Sequence, residues 1–367
     1  MNQKEHAPSL TVKCLEVPGR RIGAGHPCFI IAEAGVNHNG SLELAERLVD
    51  AAHAAGADAI KFQTWVTEKV AVPGAPAAEY QRSSLDHESS QFALLKQLEL
   101  EYGAFRALQA RANGLGILFL STPDEEDSAD FLDSLNVPLY KIGSGEITNH
   151  PFLRHVASKQ KPMILSTGMS TLAEVGEAIS AFEAEGNSRF ALLHCVSSYP
   201  AKPADCNLRA LETLGRTFHC PVGFSDHTVG REISMAAVAL GACIIEKHMT
   251  LDRAMAGPDH AASMDAVEFG RFVQEIRAVE SSLGDGVKRP AAPELEIKKV
   301  VQKCLVASRD LPAGHVLAES DLARLRAAGG LSPAFLDAVR GRRLRHPLAK
   351  HQIVGMDALE PKVESPG

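Results

Sequence analysis

The sequence predicts an α/β protein: a (β/α)8 barrel, or TIM barrel, followed by a small C-terminal domain. Between residues 29 and 283 short apolar runs alternate with helical patterns, and the runs number eight. Eight buried strands, each followed by a helix, within about 250 residues form the repeat of such a barrel. The alternative is a doubly wound open sheet. No GxGxxG phrase follows any run, so nothing favours a dinucleotide site of that kind.

The eight runs are FIIAEAG, DAIKFQT, GILFLST, PLYKIGSGE, PMILSTG, FALLHCVS, PVGFSDH and ACIIEKH. Ser41 is a good N-cap for the helical pattern after the first run, and Gly56 a natural stop. Thr171 and Glu174 have capping-box spacing after the fifth. Further helices are expected around Phe131, Leu153, Leu208, Ile233 and Phe269.

Residues 1–28 read as a hairpin or cover at the barrel's base, turning at VPGRR, and 29–283 as the barrel. The irregular stretch from Trp65 to Ser90 is expected to be a lid or substrate loop. Residues 284–296, rich in Gly and Pro, read as a linker. Residues 297–361 form a compact unit too small for a catalytic core of its own.

With 45% apolar and 23% charged residues, the 367-residue chain has an ordinary globular composition. A net charge of -7 argues against nucleic-acid and anionic-membrane partners. Seven cysteines without CxxC spacing suit a reducing compartment rather than a disulfide framework or a cysteine zinc site. The opening MNQKEHAPSL has no apolar signal-peptide core, and no run approaches a membrane span. A cytoplasmic protein is expected.

In barrels of this kind the C-terminal strand ends carry the active site. Here nearly every run ends in reactive side chains. Any one of them alone reads as a surface or structural residue. Their convergence on one face argues for use, because buried ions cost free energy unless paired. Lys61 and Lys141, with hydroxyls of Thr122, Ser144 and Ser225, would make an anion cradle. His227 and His248 end neighbouring strands and suit one divalent metal of the Mn, Zn, Fe or Co type. Water and substrate oxygens would complete its shell. Glu33 and Glu146 remain for proton handling or for holding hydroxyls.

The phrases IAEAGVNHNGS, AIKFQT, FLSTP, YKIGSGE, LSTGMS, LLHCVSSYPA, GFSDHT, IEKHMTLD and GPDH closely resemble the sialic acid synthase family. That family includes N-acetylneuraminate, legionaminic acid and pseudaminic acid synthases. The resemblance continues into the C-terminal unit, which looks like an antifreeze-like SAF domain. It implies a transferase of carbohydrate biosynthesis, a domain-swapped homodimer in which each SAF domain covers the other subunit's barrel. It implies Mn2+, with Mg2+ or Co2+ as alternatives, on His227 and His248. Phosphoenolpyruvate would be held by Lys61, Thr122, Lys141, Ser144 and Ser225, with Ser197 nearby. The N-acyl amino sugar would meet Glu33, Gln63, Glu146, Tyr199 and Asp259. The family's partner-subunit arginine usually lies in an Arg-Pro-Gly phrase. The phrase here is ARLRAAGG, in which Arg326 matches best and Arg324 lies nearby. The asparagine that some members carry on strand six is Ser197 in this chain.

The implied reaction is attack of the phosphoenolpyruvate enol-ether carbon on the sugar's open-chain aldehyde, polarised by the metal. Water then captures the cation, and phosphate leaves by C–O cleavage. N-acetylmannosamine is the favoured sugar; 2,4-diacetamido-2,4,6-trideoxymannose, giving legionaminic acid, is the alternative. A different mechanism, a Schiff-base aldolase with Lys141 as nucleophile, would leave both histidines idle. A carbohydrate- or ice-binding module built on the SAF unit would leave the ring of polar strand ends unexplained.

Overall fold

A computed structural model of the protein describes residues 14–76 and 90–361. The chain divides into two compact units, residues 1–284 and 285–367. Among the described residues no helix is long and apolar enough to cross a membrane.

The first unit is a nearly closed barrel. Strands β3 (Phe29–Gly35), β4 (Ala59–Thr64), β5 (Leu118–Pro123), β6 (Tyr140–Ile142), β7 (Met163–Ser166), β8 (Phe190–Cys195), β9 (Val222–Asp226) and β10 (Ile244–Thr250) correspond to the eight apolar runs. They pair in parallel in the order β5-β4-β3-β10-β9-β8-β7-β6, and β5 packs beside β6 to complete the ring. The strands read as continuous apolar runs because helices cover their outer faces and the barrel interior buries the other. An antiparallel hairpin, β1 (Leu15–Val17) with β2 (Arg20–Ile22), turns at Gly19, whose φ of 72° favours glycine. Its Leu15, Val17 and Ile22 pack with the interior residues of the barrel's lower end.

The inward face of each strand changes character along its length, and that change makes the site. The lower inward positions are apolar: Ile31, Ala59, Leu120, Leu139, Ile164, Leu193 and Ile244 share one core. Side chains alternate with a period of two. The next inward positions are therefore Glu33, Lys61, Thr122, Lys141, Ser166, Cys195 and Glu246. On β9 the lower position is Gly223, where a Cβ would fall 2.3 Å from the Ile244 carbonyl and 2.7 Å from Leu193 Cδ2. Only glycine fits there, and Ser225 follows on the same face.

The helices form where their caps are. The Ser41 hydroxyl accepts the Leu44 N–H ahead of helix Leu42–Ala54. Thr171 and Glu174 form a reciprocal capping box ahead of Leu172–Ala184. Helices Gln91–Leu98 and Tyr102–Leu115 have no counterpart in the sequence reading. The expected lid contains a short helix, Thr67–Val70, and its residues 77–89 lie outside the described residues.

In the second unit the stretch read as linker is helical from Ala292 onward, in helix Ala292–Val301. Pro293 suits a helix's first turn, and the Glu294 carboxylate accepts the Ala291 N–H. Strands β12 (Lys303–Ala307) and β13 (Leu322–Arg326) pair antiparallel over a core that includes Leu305, Leu311, Leu317, Leu344, Leu348 and Val354. Asp321 ties this unit together. Burial opposes its ionisation, but His315, the Ala318 N–H and Arg309 hold the carboxyl low, at about 2.

Candidate active site

At the C-terminal mouth of the barrel the inward side chains enclose a cavity of about 460 Å³. Its floor is cationic. Lys61 Nζ lies 2.8 Å from Glu33 Oε2 and donates to Thr122 Oγ1 at 3.1 Å. Lys141 Nζ donates to Ser166 Oγ at 2.7 Å. Glu246 sits between them, 3.7 Å from Lys61 and 3.6 Å from Lys141, and accepts the Ser225 hydroxyl at 2.8 Å. All four ionisable groups are buried.

Burial opposes charge on every one of these groups, and their mutual field decides the outcome. Glu246 has two lysines and a hydroxyl, which outweigh burial and hold it low, at about 2. For Glu33 burial prevails over Lys61 and pushes the carboxyl up to about 7. Burial drives the Lys61 ammonium down, but Glu246 and Glu33 more than offset it and leave the pKa raised. Lys141 is left lowered by burial. The floor thus carries two lysines against one firmly ionised carboxylate, which is suited to a multiply charged anion.

On the far side of the mouth stand the two histidines, with ring centroids 5.6 Å apart. His227 Nδ1 lies 2.7 Å from the Val196 carbonyl. A carbonyl only accepts, so Nδ1 carries the proton and Nε2 keeps its lone pair. His248 Nδ1 is buried, has no hydrogen-bond partner among the described residues, and lies 3.6 Å from Asp259 Oδ2. Burial holds both imidazoles below their usual range, most strongly His248, so both are neutral. Neutral imidazoles and an orphaned ring nitrogen fit a divalent transition-metal ion. Among the described residues no group of three or more His, Cys, Asp or Glu is placed to hold a metal. The fit is therefore to an ion that takes its remaining ligands from water or substrate.

Ser144, Ser197, Tyr199 and Gln63 also line this cavity. Ser144 Oγ accepts the Gly168 N–H at 3.0 Å. Gln63 Nε2 donates to Glu33 Oε1 at 3.0 Å. The Tyr199 ring lies against His227, centroids 4.1 Å apart. Glu146 follows the lining residues Ser144 and Gly145 but is not itself among the residues that line the cavity; it is half-buried, with Asn149 Nδ2 donating to it at 2.7 Å. Asp259 lies behind His248, its carboxyl pushed up to about 6 by burial. Arg326 ends β13 in the second unit and its side chain makes no hydrogen bond or ion pair among the described residues, whereas Arg324 pairs with Glu319 at 2.8 Å.

Of the cavity's lining side chains, Glu246 and Ser166 read from the sequence only as reactive strand ends without an assigned role, and Gln91, Asp124, Met169 and Cys195 had none either. Period-two alternation through IIEKHMT puts Glu246 on the same face as His248 and was the available signal for the first.

A parallel barrel with its ionised and metal-suited side chains gathered at the C-terminal mouth has the architecture of a (β/α)8-barrel enzyme. Residues 48–288 match the model of the NeuB family and residues 302–360 that of the SAF domain. The N,N'-diacetyllegionaminic acid synthase of Legionella pneumophila is 48% identical over 88% of this chain and 92% of its own length. The enzyme of the same name from Campylobacter jejuni is 43% identical over 86% and 95%. The crystal structure of an N-acetylneuraminic acid (sialic acid) synthetase from Leptospira borgpetersenii, in complex with citrate, superposes with a TM-score of 0.69. It is 35% identical and covers 79% of this chain and 98% of its own. The chain belongs to the NeuB family and is a sialic-acid-type synthase, a transferase that forms a carbon–carbon bond.

Proposed function

We propose that the protein condenses phosphoenolpyruvate with the open-chain form of an N-acyl amino sugar, giving a nine-carbon sugar acid and phosphate. The observation that carries this reading is the pairing, in one cavity, of a two-lysine floor with two neutral imidazoles. The floor suits the phosphate and carboxylate of phosphoenolpyruvate, with Thr122, Ser144, Ser197 and Ser225 supplying hydroxyl donors. Lys61 and Lys141, already in place, stabilise charge on the departing phosphate without reorganisation. His227 and His248 would hold the divalent ion, Mn2+ above the Mg2+ or Co2+ alternatives. Such an ion supplies Lewis-acid polarisation of the aldehyde. Glu33, Gln63, Glu146, Tyr199 and Asp259 orient the sugar. Glu33, with its raised carboxyl, is suited to exchange a proton near neutral pH.

Of the two sugars, we favour 2,4-diacetamido-2,4,6-trideoxymannose, because the relatives at 48% and 43% identity are named legionaminic acid synthases. N-acetylmannosamine, the sugar expected from the sequence, is the competing substrate; the catalytic motifs do not separate the two. The chain acts as a cytoplasmic homodimer in which Arg326, whose side chain is unpartnered among the described residues, reaches the neighbour's sugar. Phosphate release from phosphoenolpyruvate across a panel of N-acyl sugars, with product masses, tests the reading. Turnover with none of them refutes it. The Schiff-base alternative draws on the lowered pKa of Lys141 and predicts a borohydride-trapped adduct with a keto substrate.

A further inference from the structure

Asp124 follows directly on β5, and its backbone N–H donates to the Thr64 carbonyl at 3.1 Å, which ties it to the end of β4. Its carboxylate lines the cavity yet makes no hydrogen bond or ion pair among the described residues. The neighbouring acids differ. Glu33 has Lys61 and Gln63, Glu246 has two lysines and Ser225, and Glu146 has Asn149. Burial pushes the Asp124 carboxyl up to about 7; Glu146 adds to the push and Lys61 opposes it. The side chain is only partly buried, so its oxygens face the cavity and are open to donors that a ligand brings.

Its position says which ligand. In the ring order β5 faces β9 across the mouth and β6 faces β10. Asp124 and Glu146, just beyond β5 and β6, thus stand opposite the two histidines. A sugar with its aldehyde at the histidines extends toward this acidic side. Carboxylates repel a phosphate group and accept O–H and N–H donors.

We infer that Asp124 is a sugar-binding and specificity-determining residue: its carboxylate accepts hydrogen bonds from hydroxyl or acylamino donors remote from the aldehyde and selects an uncharged N-acyl sugar over its phosphate ester. The inference rests on the function proposed above.

The test compares wild type, Asp124→Asn and Asp124→Ala with the uncharged sugar, its 6-phosphate where a 6-hydroxyl exists, and analogues each lacking one remote donor. Both variants should raise KM for the sugar about tenfold or more, since a hydrogen bond to a charged group is lost. KM for phosphoenolpyruvate should not rise, since a carboxylate gives an anion no donor and its loss leaves the field of Lys61 less opposed. The wild type should suffer from deletion of one particular donor, and the variants should not suffer further. Discrimination against the phosphate ester should narrow in Asp124→Asn. An active wild type whose variants keep its KM for every sugar overturns this inference alone. A wild type that releases no phosphate with any sugar overturns the proposed function and this inference with it. If neither variant folds, the wild-type analogue series decides: no remote donor whose deletion raises KM means that the assignment is wrong.

Discussion

Asp226 and Lys247 form an ion pair of 2.9 Å, fully buried on the outward side of β9 and β10, one residue before each active-site histidine. The two residues are direct partners in the β9–β10 register. Asp226 also accepts the Thr228 N–H and hydroxyl and the Ser234 hydroxyl, and Lys247 donates to the Thr228 carbonyl. The pair locks together the two strands that present His227 and His248. Lys247→Met should lower stability by about 3–5 kcal/mol, because it strands a buried carboxylate. The double variant Asp226→Asn/Lys247→Met should recover part of that loss. Urea denaturation measures both, and a loss below about 1 kcal/mol in the single variant contradicts the assigned role.

His227→Ala and His248→Ala should each abolish most activity and weaken Mn2+ binding at least tenfold, read by calorimetry. Their melting temperatures should move little, because neither ring belongs to a hydrophobic core cluster. A chelator should silence the wild type and added Mn2+ restore it. Wild-type turnover by either variant in metal-stripped buffer would sink the metal assignment.

Gly168 sets the depth of the anion floor. A Cβ there would lie 2.3 Å from Ser197 Oγ, 2.9 Å from Ser144 Oγ and 3.0 Å from Cys195 Sγ. Gly168→Ala must displace the two hydroxyls proposed for phosphoenolpyruvate. We expect KM for phosphoenolpyruvate to rise about tenfold, one hydrogen bond to a charged group, with a smaller change for the sugar. Unaltered phosphoenolpyruvate kinetics would place those hydroxyls outside its site.

Glu33 makes stability depend on pH with a definite sign. Its carboxyl is raised from an ordinary value of 4.5 to about 7. Below about pH 4.5 folded and unfolded chains both hold the proton, and the contribution is complete. Between about 4.5 and 7 only the folded chain holds it, so stability falls as pH rises, by on the order of 3 kcal/mol. Asp124 and Asp259 are raised too and act in the same direction. The readout is therefore the difference between wild type and Glu33→Gln, whose stability profile should be flatter across that window. Parallel profiles would mean that Glu33 titrates normally.

The barrel was legible because parallel strands covered on both faces read as continuous apolar runs, and all eight stand where those runs are. The cavity was legible only in part. Lys61, Lys141 and the two histidines announce themselves by residue type at strand ends. Glu246 is equally visible as a reactive strand end but its role is not, because that role lies in Lys61 and Lys141, which approach it only once the ring closes. Asp124 was hidden in the acidic run PDEED, which already has a local explanation. Glu125 caps the helix Glu126–Ser134 by accepting the Asp127 and Ser128 N–H groups, so the run reads as a helix start. Helix Gln91–Leu98 follows an irregular stretch and is only two turns long, too short to establish a period.

The last prediction separates a site completed within one chain from a site shared between two. Arg324 and Arg326 project from the same face of β13, two residues apart. Arg324 is engaged by Glu319 at 2.8 Å, whereas the Arg326 side chain has no hydrogen bond or ion pair among the described residues, so Arg326 is the one available to a substrate. Arg326→Ala and Lys141→Ala homodimers should each be nearly inactive. Mixed under conditions where subunits exchange, they should form heterodimers in which one site keeps both Lys141 and Arg326. If the arginine acts on the neighbouring barrel, activity should return toward half of the wild-type value per mixed dimer. If it acts on its own barrel, every site in the heterodimer lacks one of the two residues and no activity returns. Verified heterodimers that stay inactive would rule out the shared site for Arg326. A parallel mixture with Arg324→Ala would then show whether the other arginine takes that place.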